Sequence, residues 1–285
     1  MRRVPWAPLA LVAALLVPAA GSRFYTFVAN DVVIWALFAT SLNLLVGYSG
    51  LVSFGHAAYF GIGAYTTGLL MKKAALPFLL AFPAAGVLAG AFALLFGVFC
   101  VRLTRIYFAM LTLAFAQFLY TVAYKWRDLT GGSDGIACVP KTALFWGGPS
   151  LATPRAFYFV VAVSLIGVNV RRYELAAFVL AGAFAGLAGG LFGIFNRGVF
   201  PDFAYWTKSS EVLIMTLLGG MGTFYGPTVG ALALILLNQQ ITSYTEYWPF
   251  VLGSILVALL FGFPGGLAGA AIVLWARARG RLRSA

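Results

Sequence analysis

Apolar runs of bilayer length recur from one end of this chain to the other, and they decide what it can fold into. A membrane-spanning helix needs about 20 predominantly apolar residues. Several runs here reach or approach that length, and 62% of the 285 residues are apolar. Only 9% are charged, against about 25% in a soluble domain. A transmembrane β-barrel would instead show short alternating segments, and none is visible. The fold class is therefore all-α: a polytopic integral membrane protein with about eight transmembrane helices plus discontinuous, re-entrant half-helices, forming one transmembrane domain over residues 1–285.

In chain order, residues 1–21 imitate a secretory signal, with Arg2, Arg3 and an apolar core, but they read better as an uncleaved first span. Asp31 to Val46 is the second span, with Asn43 near its end. Ala57 to Met71 follows and is stopped by Lys72 and Lys73. Leu76 to Val101 carries Pro77 and Pro83 early, where a helix tolerates proline best. Ile106 to Ala123 is a clean span, and Lys125 to Arg155 is the longest polar segment. Ala156 to Val170 is short for a span; Leu175 to Phe195 is not, and its Gly182, Ala185, Gly186, Gly189 and Gly190 make a face where helices approach closely. Ser209 to Leu218 is a half-length helix that breaks at Gly219, Gly220 and Gly222 and resumes from Tyr225 to Leu237. Trp248 to Phe263 is the last clear span before a basic tail at 275–285.

Gly47 to Leu70 does not suit lipid. Six glycines fall within it, interleaved with Ser49, Ser53, His56, Thr66 and Thr67. Each glycine costs about 1 kcal/mol of helix propensity relative to alanine. Irregular backbone at membrane depth survives only inside protein or beside a wet cavity. A second soft place lies at 219–230, in the other half of the chain, and paired broken helices point to a transport site. The two are expected to be neighbours. Asn43, Ser49, Gly50, Ser53, Gly55, His56, Gly219, Gly220 and Gly222 are the candidate lining or gating residues.

The net charge of +12 comes mostly from residues at the ends of apolar runs, where they anchor to headgroups and set orientation. A nucleic-acid role is excluded on that ground. With both the N-terminus and the arginine tail in the cytoplasm the number of crossings is even, and treating 209–237 as a re-entrant pair gives eight. Lys72, Lys73 and four basic residues between 125 and 155 then lie outside. Cys100 and Cys138 are far apart and imply no bridge, and a single histidine excludes a histidine metal cluster.

Individual residues carry competing readings. His56 is either a contact for a solute or a packed histidine. Glu211 either caps the first half-helix through its dipole or meets a substrate ammonium. Gly131, Gly132, Ser133, Asp134 and Gly135 form a turn-rich outer-loop motif, either a docking element or a turn whose aspartate satisfies backbone donors. It is not a phosphate loop, since no Gly-Lys-Ser/Thr follows. The seven acids all read as lying at or near segment ends, which argues against an ion-coupled secondary transporter. Gly47-Tyr48-Ser49-Gly50 with His56 has the outline of an intramembrane serine protease, but needs an intact helix to bring the base to Ser49.

Four blocks carry a family resemblance. Ser41 to Gly50 with Ser53 to Ala57, Ile106 to Gln117, Leu129 to Ile136, and Leu218 to Thr223 with Gly226-Pro227 and Gly230-Ala231 resemble branched-chain amino acid ABC transporter permeases, the third block being typical of the M-type subunit. The resemblance implies the permease of an ATP-driven importer in a bacterial or archaeal inner membrane. It implies a second homologous permease, two cytoplasmic ATPase subunits and an extracytoplasmic solute-binding protein as partners. No cofactor is expected on this chain; ATP belongs to the partner subunits. The family also takes up urea, short amides and aromatic compounds. One departure stands out. Ser164-Leu165-Ile166 joins almost directly to Gly167-Val168-Asn169-Val170, where the family has a basic cytoplasmic coupling segment. Either that segment is deleted around 164–168 or the ATPase docks elsewhere.

Overall fold

The computed structural model describes residues 23–137, 174–221, 223–242, 250, 253–254 and 266–269. The expected spans at 1–21 and 156–170, that at 248–263 apart from residues 250, 253 and 254, the join at 164–168, Cys138 and the arginine tail lie outside the described residues. Within them the chain is helical: α1 (Arg23–Asn43), α2 (His56–Lys72), α3 (Phe78–Cys100), α4 (Arg105–Lys125), the short α5 (Arg127–Thr130), α6 (Glu174–Phe195), α7 (Trp206–Gly219) and α8 (Gly226–Thr242). Four helical stretches among the described residues are long and apolar enough to cross a membrane, at 24–47, 78–100, 105–125 and 174–195.

The helices begin and end for local reasons. Pro77 precedes α3 in extended conformation, and Pro83 sits in its second turn, as expected for early prolines. At the other end of α1, Leu44–Ser49 widens into a π-helical turn, and Gly50 closes it with a φ of 68°, a value that glycine adopts without strain. The glycines of α6 act as a packing face. Ala93 of α3 seats on Gly182 and Ala89 on Gly186, while the backbone of α2 runs over Gly186 and Gly189. A Cβ on Gly63 would overlap the Gly186 carbonyl. α2 thus runs parallel to α6 at near backbone contact, with α3 antiparallel against the same helix.

Two boundaries differ from the sequence expectation. The second span is already helical at Arg23, the first described residue, rather than starting at Asp31. Asp31 therefore lies eight residues inside α1, about 12 Å along it at 1.5 Å per residue, and not at a segment end. Its side chain is hydrogen-bonded to Trp35, one turn on in the same helix, and the Lys208 ammonium of α7 attracts it. Glu211 does not open the half-helix either: α7 starts at Trp206, a full turn earlier, so the dipole-capping role falls away.

The second soft place folds as a hairpin. α7 and α8 pack against each other, with Gly219 against the Gly226 carbonyl and Gly230 against the Met215 carbonyl. The true counterpart of the 50–55 break lies elsewhere, at 196–205. There the chain leaves α6 and turns through a short 3-10 helix, Pro201–Ala204. Pro201, Phe203 and Ala204 are buried, and Ala204 seats against Gly61 in mid-α2. Sequence reading missed this entry because Asn196, Arg197, Pro201 and Asp202 look like an ordinary boundary loop.

At the end where α2 and α4 finish, Ile136–Ala137 pairs antiparallel with Gly198–Val199. Lys72 donates to the Ala137 carbonyl (2.7 Å) and Lys73 to that of Asp128 (2.8 Å). The two lysines and the 127–137 loop therefore share one end of the molecule.

Replacing Gly63 with leucine should cost at least about 1–3 kcal/mol through overpacking. The expected result is a lower thermal unfolding midpoint for detergent-solubilised protein. A Gly63→Leu variant that melts with the wild type would contradict the backbone crossing.

Candidate functional site

The two broken helices start side by side. α1 carries the chain to its π-helical turn, residues 50–55 lead back inward, and α2 begins at His56 with Gly55 against the backbone of Thr112 in mid-α4. α7 begins beside it, running in the opposite direction. No side chain caps either helix start. The Ala57 N–H instead donates to Ser209 Oγ in the first turn of α7, at 2.8 Å. An unmet first-turn donor is costly at membrane depth, and the partner helix supplies the acceptor.

His56 is fully buried at this junction. Its Nε2 shares a hydrogen bond with Ser41 Oγ (2.8 Å), and its ring stacks on Phe38 with centroids 5.5 Å apart. Its partner is thus Ser41 and not Ser49, so the serine-protease arrangement does not form. Ser53 Oγ, His56 Nδ1 and Asn43 Oδ1 are buried without a hydrogen-bond partner. Leaving such groups unmet costs about 1–3 kcal/mol each, so polar atoms concentrate here at the expense of stability.

Asn43 links the two soft places directly. Its Nδ2 donates to the Thr223 carbonyl in the α7–α8 turn (3.3 Å). A Cβ on Gly47 would stand 2.6 Å from the Met221 carbonyl of the same turn. Thr216 of α7 also reaches the Ala39 carbonyl of α1, at 3.4 Å. The structure therefore brings Asn43 and Gly47 to the turn that follows Gly219 and Gly220, whereas His56 lies at Ser41 and at the start of α7, ten residues before Gly219, and Gly55 lies against Thr112. Ser49 and Gly50 lie at one margin, where Gly50 faces the Arg105 guanidinium. Gly222 lies outside the described residues.

The 131–135 motif sits away from this junction. Gly131, Gly132 and Gly135 have φ of 82°, 62° and 63°, conformations that explain three glycines in five residues. Thr130 Oγ1 donates to the Ala123 and Trp126 carbonyls. Ser133 Oγ donates to Asp134 Oδ1, both on the exposed surface.

A charged cluster at the start of α7 was not legible as such. Lys208 holds Glu211 at 2.9 Å and places its ammonium 5.3 Å from the centre of the Trp35 ring. Asp31, one turn before Trp35 on α1, feels the charge of both. The only signal in the sequence was Asp31 itself, an acid within an apolar run. The ammonium is paired with Glu211 and attracts Asp31 without touching it, so its loss should be worse alone than with one carboxylate neutralised. Lys208→Met is expected to lower the yield of folded protein, and Lys208→Met combined with Glu211→Gln to recover part of it, measured by size-exclusion recovery. Ser209→Ala should cost about 1–3 kcal/mol by stranding the Ala57 N–H; an unchanged unfolding midpoint would show that the junction does not depend on it.

Comparison with known proteins adds the lineage. The family model for branched-chain amino acid transport system / permease component matches residues 24–166 and 160–261. The chain is 29% identical to the high-affinity branched-chain amino acid transport system permease protein LivM of Escherichia coli (strain K12), covering 90% of this chain and 73% of that protein. The aligned length there, 310 residues, exceeds the 285 of this chain, so this chain lacks residues that the relative has. LivM of Salmonella typhimurium (strain LT2) is 28% identical with the same coverage. The permease protein LivH of Escherichia coli (strain K12) is 32% identical over 108 residues, 37% of this chain and 35% of that protein. No solved structure matches. With matches running from residue 24 to 261, this chain belongs to the family of branched-chain amino acid transport permease components, multi-pass membrane proteins that serve transport and not catalysis.

Proposed function

We propose that this chain is one of two membrane-spanning permeases of an ATP-driven importer for branched-chain or similarly small amino acids, in a bacterial inner membrane. The observation that carries the reading is the meeting of two half-helices at membrane depth, α2 and α7, held by Ser209 and the Ala57 N–H. Discontinuous helices that start inside the bilayer are where transporters place their solute routes. The names of the relatives, LivM and LivH, support the amino-acid substrate, and the urea and short-amide alternatives have no such support.

In this reading Asn43, Ser53, Gly55, His56, Gly219 and Gly220 are the gate. Their polar atoms are incompletely paired in the packed arrangement, so a second arrangement with water or solute at them is within reach. The permease supplies two conformations, and the partners bias them by binding one better than the other. Those partners are a second permease of the family, two cytoplasmic ATPase subunits that carry ATP, and a solute-binding protein outside. The Gly131–Gly135 loop, fixed by its backbone and exposed, is the element offered to the last of these.

The test is co-purification with the ATPase and second permease encoded beside this chain, then ATP hydrolysis in proteoliposomes with the binding protein. Hydrolysis should rise with leucine. A chain that never retains an ATPase would sink the proposal. Asn43→Ala should leave assembly intact and reduce leucine uptake by roughly the factor of 10 that about 1.4 kcal/mol corresponds to.

A further inference from the structure

α4 is poorly covered for a helix in the middle of the chain. Only 22% of its apolar stretch is buried, against 44% to 67% for the other three long helices. Its outward side carries Ile106, Tyr107, Met110, Leu113 and Phe118, all exposed. Lipid would suit those residues, but Gln117 is exposed among them. It lies twelve residues from Arg105 and eight from Lys125, the two ends of the helix. At 1.5 Å per residue that is about 12 Å from the nearer end, well within the hydrocarbon. Its side-chain amide makes no hydrogen bond to any described residue. An unpaired carboxamide at that depth faces water or protein, because lipid offers it no partner.

A hollow lies beside it. Met110, Leu113, Ala114 and Gln117 of α4 and Trp206, the first residue of α7, line an open depression of about 350 Å³ on the surface. That is at the lower end of the about 300–1,000 Å³ of small-molecule sites. The lining is hydrocarbon, thioether and indole, with one amide. The chemistry fits a small aliphatic group whose polar end points out of the hollow. Its position matters as much as its lining. Trp206 lies three residues before Ser209, so less than one turn of α7 separates the hollow from the junction of half-helices. Tyr205, next to Trp206, packs on Tyr120 of α4 with ring centroids 4.8 Å apart, which fixes the two walls relative to each other.

We propose that this hollow receives the hydrocarbon side chain of the transported amino acid, and that the second permease packs on the outer face of α4 to close it. The inference rests on the importer reading above and adds the place and the lining residues. A branched aliphatic side chain fills the space between Met110, Leu113 and Trp206. Gln117 stands at the solute's polar end or at the second permease, and either partner removes its exposure to lipid. Ala114 sets the depth of the hollow, because any larger side chain there occupies it.

The experiment uses the assembled complex in proteoliposomes. Ala114→Cys is treated with a polar maleimide, in the presence and absence of leucine, with the wild-type complex as the control for Cys100 and Cys138. The thiol is expected to react, leucine is expected to slow the reaction several-fold, and the modified complex is expected to lose most of its leucine uptake. Leu113→Cys serves in the same way should Ala114→Cys not assemble. A thiol that does not react would place this face in lipid or under the 156–170 segment and overturn the proposal. A thiol that reacts at a rate indifferent to leucine would overturn it too. A photocrosslinker at position 110 is expected to capture the second permease; capture of residues 156–170 of this same chain is the opposing result. Leucine uptake by the untreated wild-type complex is measured first. Its absence would defeat the importer reading, whereas its presence with a leucine-indifferent thiol defeats only the hollow.

Discussion

The architecture depends on satisfying backbone polar groups where there is no water to do so. Two stretches, 50–55 and 196–205, carry backbone that is not α-helical inward, and two helices start there without side-chain caps. In a soluble protein, water would meet the free N–H groups. Here each interrupted helix leans on another element: the Ala57 N–H on Ser209, Gly55 on the Thr112 backbone, and Ala204 on Gly61. The broken helices are therefore stable only as a pair. Neither would survive facing lipid alone.

The glycine face of α6 makes that pairing possible. With small residues at 182, 186, 189 and 190, α2 and α3 both approach α6 closely enough for backbone and Cβ contact. Helices in a membrane gain little from the hydrophobic effect against one another and associate through such close packing. The aromatic residues Phe38, Phe60, Phe192 and Phe203 fill the space that remains around the crossing. Rigid packing thus surrounds a junction whose own polar atoms are under-satisfied.

Much of this was legible beforehand. The run from Ile106 to Ala123 and the stop at Lys72–Lys73 gave α4 and α2 to within two residues, because apolar length and flanking charge are properties of the chain alone. The softness of 47–63 and 219–230 was legible from glycine content, and so was their neighbourhood, since such backbone needs a protein partner. Misreadings came where local sequence and tertiary role part company. Asp31 and Glu211 looked like end markers. They sit inside the fold because Lys208 lies across from one and a turn before the other. The 196–205 entry drew no reading at all, since polar residues and a proline cannot by themselves reveal that the chain dips inward and packs on α2.

The sequence alone determined the solvent. A chain this apolar, with charges confined largely to the margins of its runs, is bound to a bilayer, and the hydrocarbon thickness then sets the helix lengths. It also determined that two places are not ordinary helix, because glycine and serine at that density do not pay for themselves against lipid. Only the tertiary structure decided which residues meet: His56 with Ser41, Ala57 with Ser209, Asn43 with Thr223. The physical reason is that helix propensity and apolar length are summed along the chain, whereas a buried hydrogen bond depends on the positions of two residues more than a hundred apart, as in the last two of these pairs, and nothing local fixes that distance.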